Sequence, residues 1–153
     1  MTQTEAPAAA AGTPSSGPKV NAAFLDRKRI VFTARERAFV NVRESLPDGP
    51  VGFSSTELLL IAVGNCSLGT LFGHPLLKDA AVSNITAELA ATMASDPPRV
   101  THIVTTISAD IADPELNTRQ AELEAIACAC PMCNSVTAEK QLRVRLNLVP
   151  GPA

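Results

Sequence analysis

At 153 residues the chain fits one domain with one core, and 46% of its residues are hydrophobic. Only 3% are aromatic, with no Trp or Tyr, which argues against stacking on nucleic-acid bases as its mode of action. The 13 Lys and Arg against 15 Asp and Glu leave a formal net charge of -2. No global field therefore draws it to phosphate backbones or anionic membranes, and a small or neutral partner is expected. No basic-then-apolar leader is read at its start, so its four cysteines are expected in a reducing cytoplasm. There they read as chemistry, metal ligands or core rather than as a disulfide framework.

In chain order, residues 1–19 are rich in Ala, Pro, Thr, Ser and Gly without a period that buries a face, and read as a disordered tail. Three short runs come next, Val20 to Leu25, Ile30 to Ala34 and Ala38 to Val42, separated by Asp26-Arg27-Lys28-Arg29 and Arg35-Glu36-Arg37. They predict an antiparallel meander with charged turns. Arg27 and Arg29 are candidates to contact an anionic group, against the plainer reading of a solvated turn. Pro47-Asp48-Gly49-Pro50 is a turn linking the meander to the central helix.

Ser54-Ser55-Thr56-Glu57 has the form of a capping box, so that helix is expected to start there and to run to Phe72. Leu58 to Val63 are apolar all round the helical wheel, which predicts a helix buried on every side and too short to span a bilayer. Cys66 lies on this helix between Gly64 and Gly69, small residues that let other backbones come close. Gly73-His74-Pro75 ends the helix, and His74 reads as a helix-end residue rather than a ligand or base.

Asn84 to Met93 alternates with Ile85, Ala87, Leu89, Ala91 and Met93 on one face. Val100 to Ile111 alternates with Ile103, Thr105, Ile107, Ala109 and Ile111. Two long strands joined through Asp96-Pro97-Pro98 are expected, with His102 on the solvent side. Asp113-Pro114-Glu115 starts a second helix, carrying Leu116, Leu123 and Ile126 inward and ending near Cys130. Leu142, Val144, Leu146 and Leu148 then alternate with polar residues in a final half-buried strand, before the loose tail of residues 150–153.

The second chemical stretch is Cys128-Ala129-Cys130-Pro131-Met132-Cys133. Pro131 breaks the preceding helix and suits the first position of a new short one, which makes Cys130 its N-cap. Free amides and the helix dipole there stabilise a thiolate, so Cys130 reads as reactive, against the alternative of an inert buried cysteine. Cys133 completes a C-x-x-C and a possible local dithiol, whereas Cys128 reads as core. Four thiols suffice in number for a metal site, but no second C-x-x-C or paired histidine accompanies them, so neither metal nor other cofactor is expected.

A meander, a hydrophobic helix of the form E-L-L-L-x-A-x-G-x-C, two long strands and a second helix ending in C-P-x-[SC] resemble the OsmC/Ohr family of osmotically inducible and organic-hydroperoxide-resistance proteins. The resemblance covers about residues 20–149, taken as the domain. It implies an α+β fold whose antiparallel sheets wrap central helices in an interlaced homodimer, with the active sites at the dimer interface. It further implies a thiol peroxidase in which Cys66 attacks an organic hydroperoxide and Cys130 resolves the sulfenic acid as a disulfide. An external dithiol, a lipoylated protein or a small thiol, would then reduce that disulfide.

The family's peroxidases carry a carboxylate ten residues before the first cysteine, where this chain has Thr56; Glu57 stands nine before. At about 100° and 1.5 Å per residue, Glu57 falls on the face opposite Cys66 and ~13 Å along the axis. It either serves the partner chain's site or only caps the helix, and the cap is the simpler reading. Arg27 or Arg29 stands in for an arginine that the family holds in a glycine turn, and Cys133 replaces its usual serine, adding a second resolving thiol. Two other functions remain open: a non-catalytic dimer that binds a hydrophobic small molecule, and a dithiol exchange protein using Cys130 and Cys133.

Overall fold

In the computed structural model, which describes residues 17–42, 45–46, 49–50 and 52–150, the chain divides into two units, Met1–Gly52 and Phe53–Ala153. In the first unit the expected meander forms: β1 (Asn21–Phe24), β2 (Arg29–Ala34) and β3 (Arg37–Val42) pair antiparallel in the order β1-β2-β3. Phe32 sits opposite Phe39 and their rings stack with centroids 6.2 Å apart. Arg35, at φ 55°, takes the left-handed conformation that the tight β2–β3 turn requires. Two further short strands, β4 (Ser45–Leu46) and β5 (Gly49–Pro50), form a separate hairpin. Most of the tail expected over residues 1–19, the turn residues Pro47 and Asp48, and residues 151–153 lie outside the described residues.

The second unit opens with α1 (Ser55–Phe72), and both halves of its capping box are made. Ser54 Oγ accepts from the Glu57 amide at 3.2 Å, and Glu57 Oε2 accepts from the Ser54 amide at 2.6 Å. These bonds satisfy amides that a helix start otherwise leaves unpaired. Replacing Ser54 with alanine is expected to destabilise the fold by about 1 kcal/mol in a denaturant titration, and Ser54→Asp to restore most of it.

The helix is not buried on every side. Val63, Gly64, Ser67 and Leu71 face inward, while Glu57, Ile61, Asn65 and Gly69 form an exposed stripe. At 18 residues it also meets the length and hydropathy of a membrane span, contrary to expectation. In this unit it packs as a core helix, lying against β6 and the third helix. Gly64 shows how close it comes, since a Cβ there would sit 2.9 Å from Leu89 Cδ1. Gly69, by contrast, faces open space.

The two long strands are β6 (Val82–Ser95) and β7 (Pro98–Ile111), paired antiparallel. On β7 the expected face is buried without exception, from Ile103 through Thr105, Ile107 and Ala109 to Ile111. On β6 only the middle of the expected face points inward. Ile85 and Met93 are exposed because the pairing shifts register between Ser83 and Thr86 and again between Thr92 and Met93, and each shift turns the alternation over. The final strand β8 (Glu139–Leu148) joins β7 in parallel, so this sheet, ordered β6-β7-β8, is mixed rather than antiparallel. The helical connection between β7 and β8 is long enough for the crossover that parallel pairing needs. Leu148, at the strand's end, is exposed rather than buried.

That connection holds two helices where one was expected before the break at Pro131, α2 (Pro114–Asn117) and α3 (Gln120–Cys128), followed by the expected short helix α4 (Pro131–Ser135). Asp113 caps α2 through the Glu115 amide. The helix then closes on tight three-residue bonds, Thr118 N–H to Glu115 O and Arg119 N–H to Leu116 O, with the Thr118 hydroxyl also donating to Glu115 O. Asn and Thr favour such local bonds over helix continuation.

The buried side chains gather in two clusters rather than one. Leu71, Ile107, Ile111, Leu123, Ala127 and Val144 centre the larger. The smaller contains Val63, Ile103, Cys130, Cys133 and Ala138, with Cys66, Cys128 and Met132 packed against it.

Candidate functional site: a buried cluster of cysteines

The smaller cluster exists because three elements deliver thiols to one place. Val63 and Ser67 turn inward on α1, which brings the intervening Cys66 to the cluster's edge, partly exposed. Leu123 and Ala127, both wholly buried, fix α3 against the sheet, so that its end delivers Cys128 and then Cys130. Pro131 occupies the first turn of α4, and Cys130 is its N-cap, accepting a hydrogen bond from the Cys133 amide at 3.3 Å. Cys130 has 0% exposure and Cys133 3%. Between them lies Ser67, itself fully buried, whose hydroxyl is 3.6 Å from both sulfurs.

This environment separates the two thiols of the C-x-x-C in acidity. Burial pushes the Cys130 thiol up, but the Cys133 amide, the Ser67 hydroxyl and the Cys133 and Cys66 side chains together bring it below its ordinary value. Burial pushes Cys133 up to about 11, with the bond to Cys130 and the negative charges of Cys130 and Cys128 adding to it against the lowering effect of Ser67. Of the two thiols, Cys130 is therefore the one that gives up its proton first, and Cys133 the one that keeps it.

In a variant with Cys66 and Cys128 both replaced by serine, thiolate absorbance is expected to rise in two steps. The first is the Cys130 thiol and the second, the buried Cys133 thiol, lies above the ordinary thiol value. A single step at the ordinary value would contradict the coupling. The two thiols link stability to pH with opposite signs. Cys133, with its raised folded pKa, contributes stability that is whole below its unfolded pKa and is lost as pH rises toward about 11. The contribution of Cys130, whose folded pKa is depressed, is present above its unfolded pKa and is lost as pH falls through the folded one.

The remaining candidates lie elsewhere. Glu57 is the capping carboxylate at the start of α1, and the bond from the Ser54 amide lowers its pKa. It also lines an open apolar cavity of ≈ 240 Å³ with Phe53, Leu60, Ile61 and Leu89. Leu60 and Leu89 pack on the cysteine cluster as well, so they form a wall shared by cavity and thiols. Arg27 and Arg29 belong to the first unit. Arg29 Nε donates to Asp26 at 2.7 Å and holds that carboxyl below its usual range. Arg27 lines an open cavity with Phe24 and Asp26. The His74 ring accepts from the Leu76 amide at 3.3 Å just past the end of α1. His102 faces Glu139 across the β7–β8 pair, with Nδ1 3.6 Å from Oε2.

Ser67 is the site residue that sequence reasoning missed. Its signal was present as a hydroxyl next to Cys66 in an apolar helix, but a serine there reads equally as a tolerated small residue. Cys128, assigned to the core, stands near enough for its charge to act on Cys133. Among the described residues, no group of three or more His, Cys, Asp or Glu is arranged to hold a metal ion.

Solved structures share this fold at low identity. An OsmC-like protein from Mycoplasma pneumoniae is 13% identical, with a TM-score of 0.70 over 89% of this chain and 99% of that one. The organic hydroperoxide resistance protein OhrB of Bacillus subtilis is 16% identical, with a TM-score of 0.54 over 86% of this chain and 98% of that one. An organic hydroperoxide resistance protein OsmC from Legionella pneumophila is 11% identical, with a TM-score of 0.56 over 89% and 100% of the two chains. No curated protein sequence matches the chain. Residues 47–145 match the family described as OsmC-like protein, which spans both cysteine stretches and more than half of the sequence. The chain belongs to the OsmC-like protein family.

Proposed function

We propose that this protein is a homodimeric thiol peroxidase that reduces organic hydroperoxides with Cys66 as nucleophile and Cys130 as resolving thiol. The Cys66 thiolate attacks the terminal peroxide oxygen, the O–O bond breaks, and the alcohol leaves with a proton, so that Cys66 becomes a sulfenic acid. The Cys130 thiolate then attacks the Cys66 sulfur and forms the disulfide, and the expelled hydroxide takes up a proton to leave as water. An external dithiol, a lipoylated protein or a small thiol, returns both cysteines to thiols by exchange. Such a cycle belongs in a reducing compartment, the cytoplasm. No metal or other cofactor takes part.

The observation that carries this reading is a partly exposed Cys66 at the edge of the cluster, interacting with a fully buried Cys130 whose pKa is lowered. The leucine wall that the cluster shares with the apolar cavity suits an organic rather than an inorganic peroxide. Pairing of two chains fits the exposed stripe on α1, where Ile61 is 47% exposed, and the exposed Phe24, Phe39 and Val40 of the meander. In this reading Glu57 acts on the partner chain's site or caps the helix alone, and Arg27 or Arg29 supports the thiolate.

The test is a peptide map of the reduced protein after one equivalent of cumene hydroperoxide, beside an equal dose of hydrogen peroxide. A Cys66–Cys130 disulfide is expected, forming faster with the organic peroxide. Four cysteines that stay reduced would end the peroxidase reading and leave a binding pocket. A second reading, dithiol exchange by Cys130 and Cys133, is favoured by their shared Ser67 and their split acidities. It requires that Cys66→Ser leave the Cys130–Cys133 disulfide able to form.

A further inference from the structure

We infer that Cys133 ends a disulfide relay, taking Cys130 over from the Cys66–Cys130 bond and returning Cys66 to the thiol state before any external reductant arrives. The inference rests on the peroxidase reading and adds a step to it. Cys66 on α1 packs against the cluster that holds Cys130 and Cys133, and within that cluster Cys130 accepts the Cys133 amide at 3.3 Å. The Ser67 hydroxyl, 3.6 Å from each sulfur, holds the Cys130 and Cys133 thiols to one point in a fully buried site. Exchange between thiols so placed needs no element to move far.

The step balances within the chain. Cys133 gives up its proton, its thiolate attacks the Cys130 sulfur, a Cys130–Cys133 bond forms as the Cys66–Cys130 bond breaks, and Cys66 leaves as a thiolate that takes up the proton. No electrons enter or leave, and one hydroperoxide still accounts for one disulfide.

Acidity makes the step sequential. In the reduced protein burial first, and then the bond to Cys130 and the charge of its thiolate, favour the protonated Cys133, so it does not compete with Cys130 for the sulfenic acid. Once Cys130 is in a disulfide, that charge is gone and Ser67 still favours a thiolate on Cys133.

The experiment uses the Cys128→Ser protein, to simplify pairing, together with Cys133→Ser and Cys66→Ser made in that background. Each is fully reduced, given one equivalent of cumene hydroperoxide, alkylated at intervals with iodoacetamide and mapped. With Cys133 present, the Cys66–Cys130 crosslink is expected to appear and then be lost, leaving an oxidised Cys130–Cys133 peptide and an alkylated Cys66. With Cys133→Ser the crosslink is expected to persist. A crosslink that persists equally in both overturns the relay and leaves the peroxidase reading standing. No crosslink at all in Cys133→Ser overturns the peroxidase reading and the relay with it. A Cys130–Cys133 bond forming at an undiminished rate in Cys66→Ser also overturns the relay, because the dithiol would then be oxidised directly.

Discussion

Replacing Cys66 with serine is expected to lower organic-hydroperoxide turnover by at least about a thousandfold, while far-ultraviolet circular dichroism and the thermal midpoint barely change. A serine hydroxyl at neutral pH is a far weaker nucleophile than a thiolate, and none of the other cysteines combines exposure with a place on α1. The substitution is nearly isosteric at a partly exposed position, so stability has little to lose. The matching experiment is Cys130→Ser. That variant still consumes about one equivalent of hydroperoxide through the Cys66 sulfenic acid but does not turn over through a Cys66–Cys130 disulfide. Retention of full activity in Cys66→Ser would remove the nucleophile from the proposed cycle. Comparable loss in both variants, with no single turnover in Cys130→Ser, would shift the first attack to Cys130.

Leu123→Ala is expected to have the largest effect on stability, about 3 to 4 kcal/mol in a urea titration, because it removes three buried carbons from a side chain with 0% exposure. Leu123 anchors α3 in the larger cluster beside Ala127, and α3 leads directly into Cys130 and the cap of α4. The loss therefore reaches the thiols: loosening the helix end weakens the amide and hydroxyl contacts that lower the Cys130 pKa, so its titration should move back toward the ordinary value. Leu148→Ala is the control. That leucine is 54% exposed at the end of β8, and its truncation is expected to cost no more than about 0.5 kcal/mol.

Much of the architecture was legible because it depends on local rules. Ser54 and Glu57 specify a helix start through side-chain bonds that span three residues, and the bonds are made. Strict alternation from Ile103 to Ile111 specified a buried strand face, and all five residues are buried. Pro131 after Cys130 specified a break and a cap, since proline lacks an amide and has a fixed φ. Family membership was legible for the same reason, because the two cysteine motifs sit at helix positions that the sequence marks by itself.

Other features were set by partners distant in sequence. Whether Ile85 and Met93 point inward depends on two register shifts against β7, which alternation within β6 does not encode. The parallel seating of β8 depends on a crossover between strands, and the exposed stripe on α1 on which faces β6 and α3 cover. The packing of Cys66 against the cluster that holds Cys130, and the placing of Ser67 between Cys130 and Cys133, join residues more than sixty positions apart.

The start of α1, the buried face of β7, the cap at Cys130 and the family were fixed locally, because each arises from hydrogen bonds and sterics among near neighbours. Packing set the rest: it joins a serine to two thiols and makes one of them more acidic than the other. Acidity is set by burial and by charges and donors within a few ångströms, and those neighbours are chosen by how α1, α3 and α4 pack.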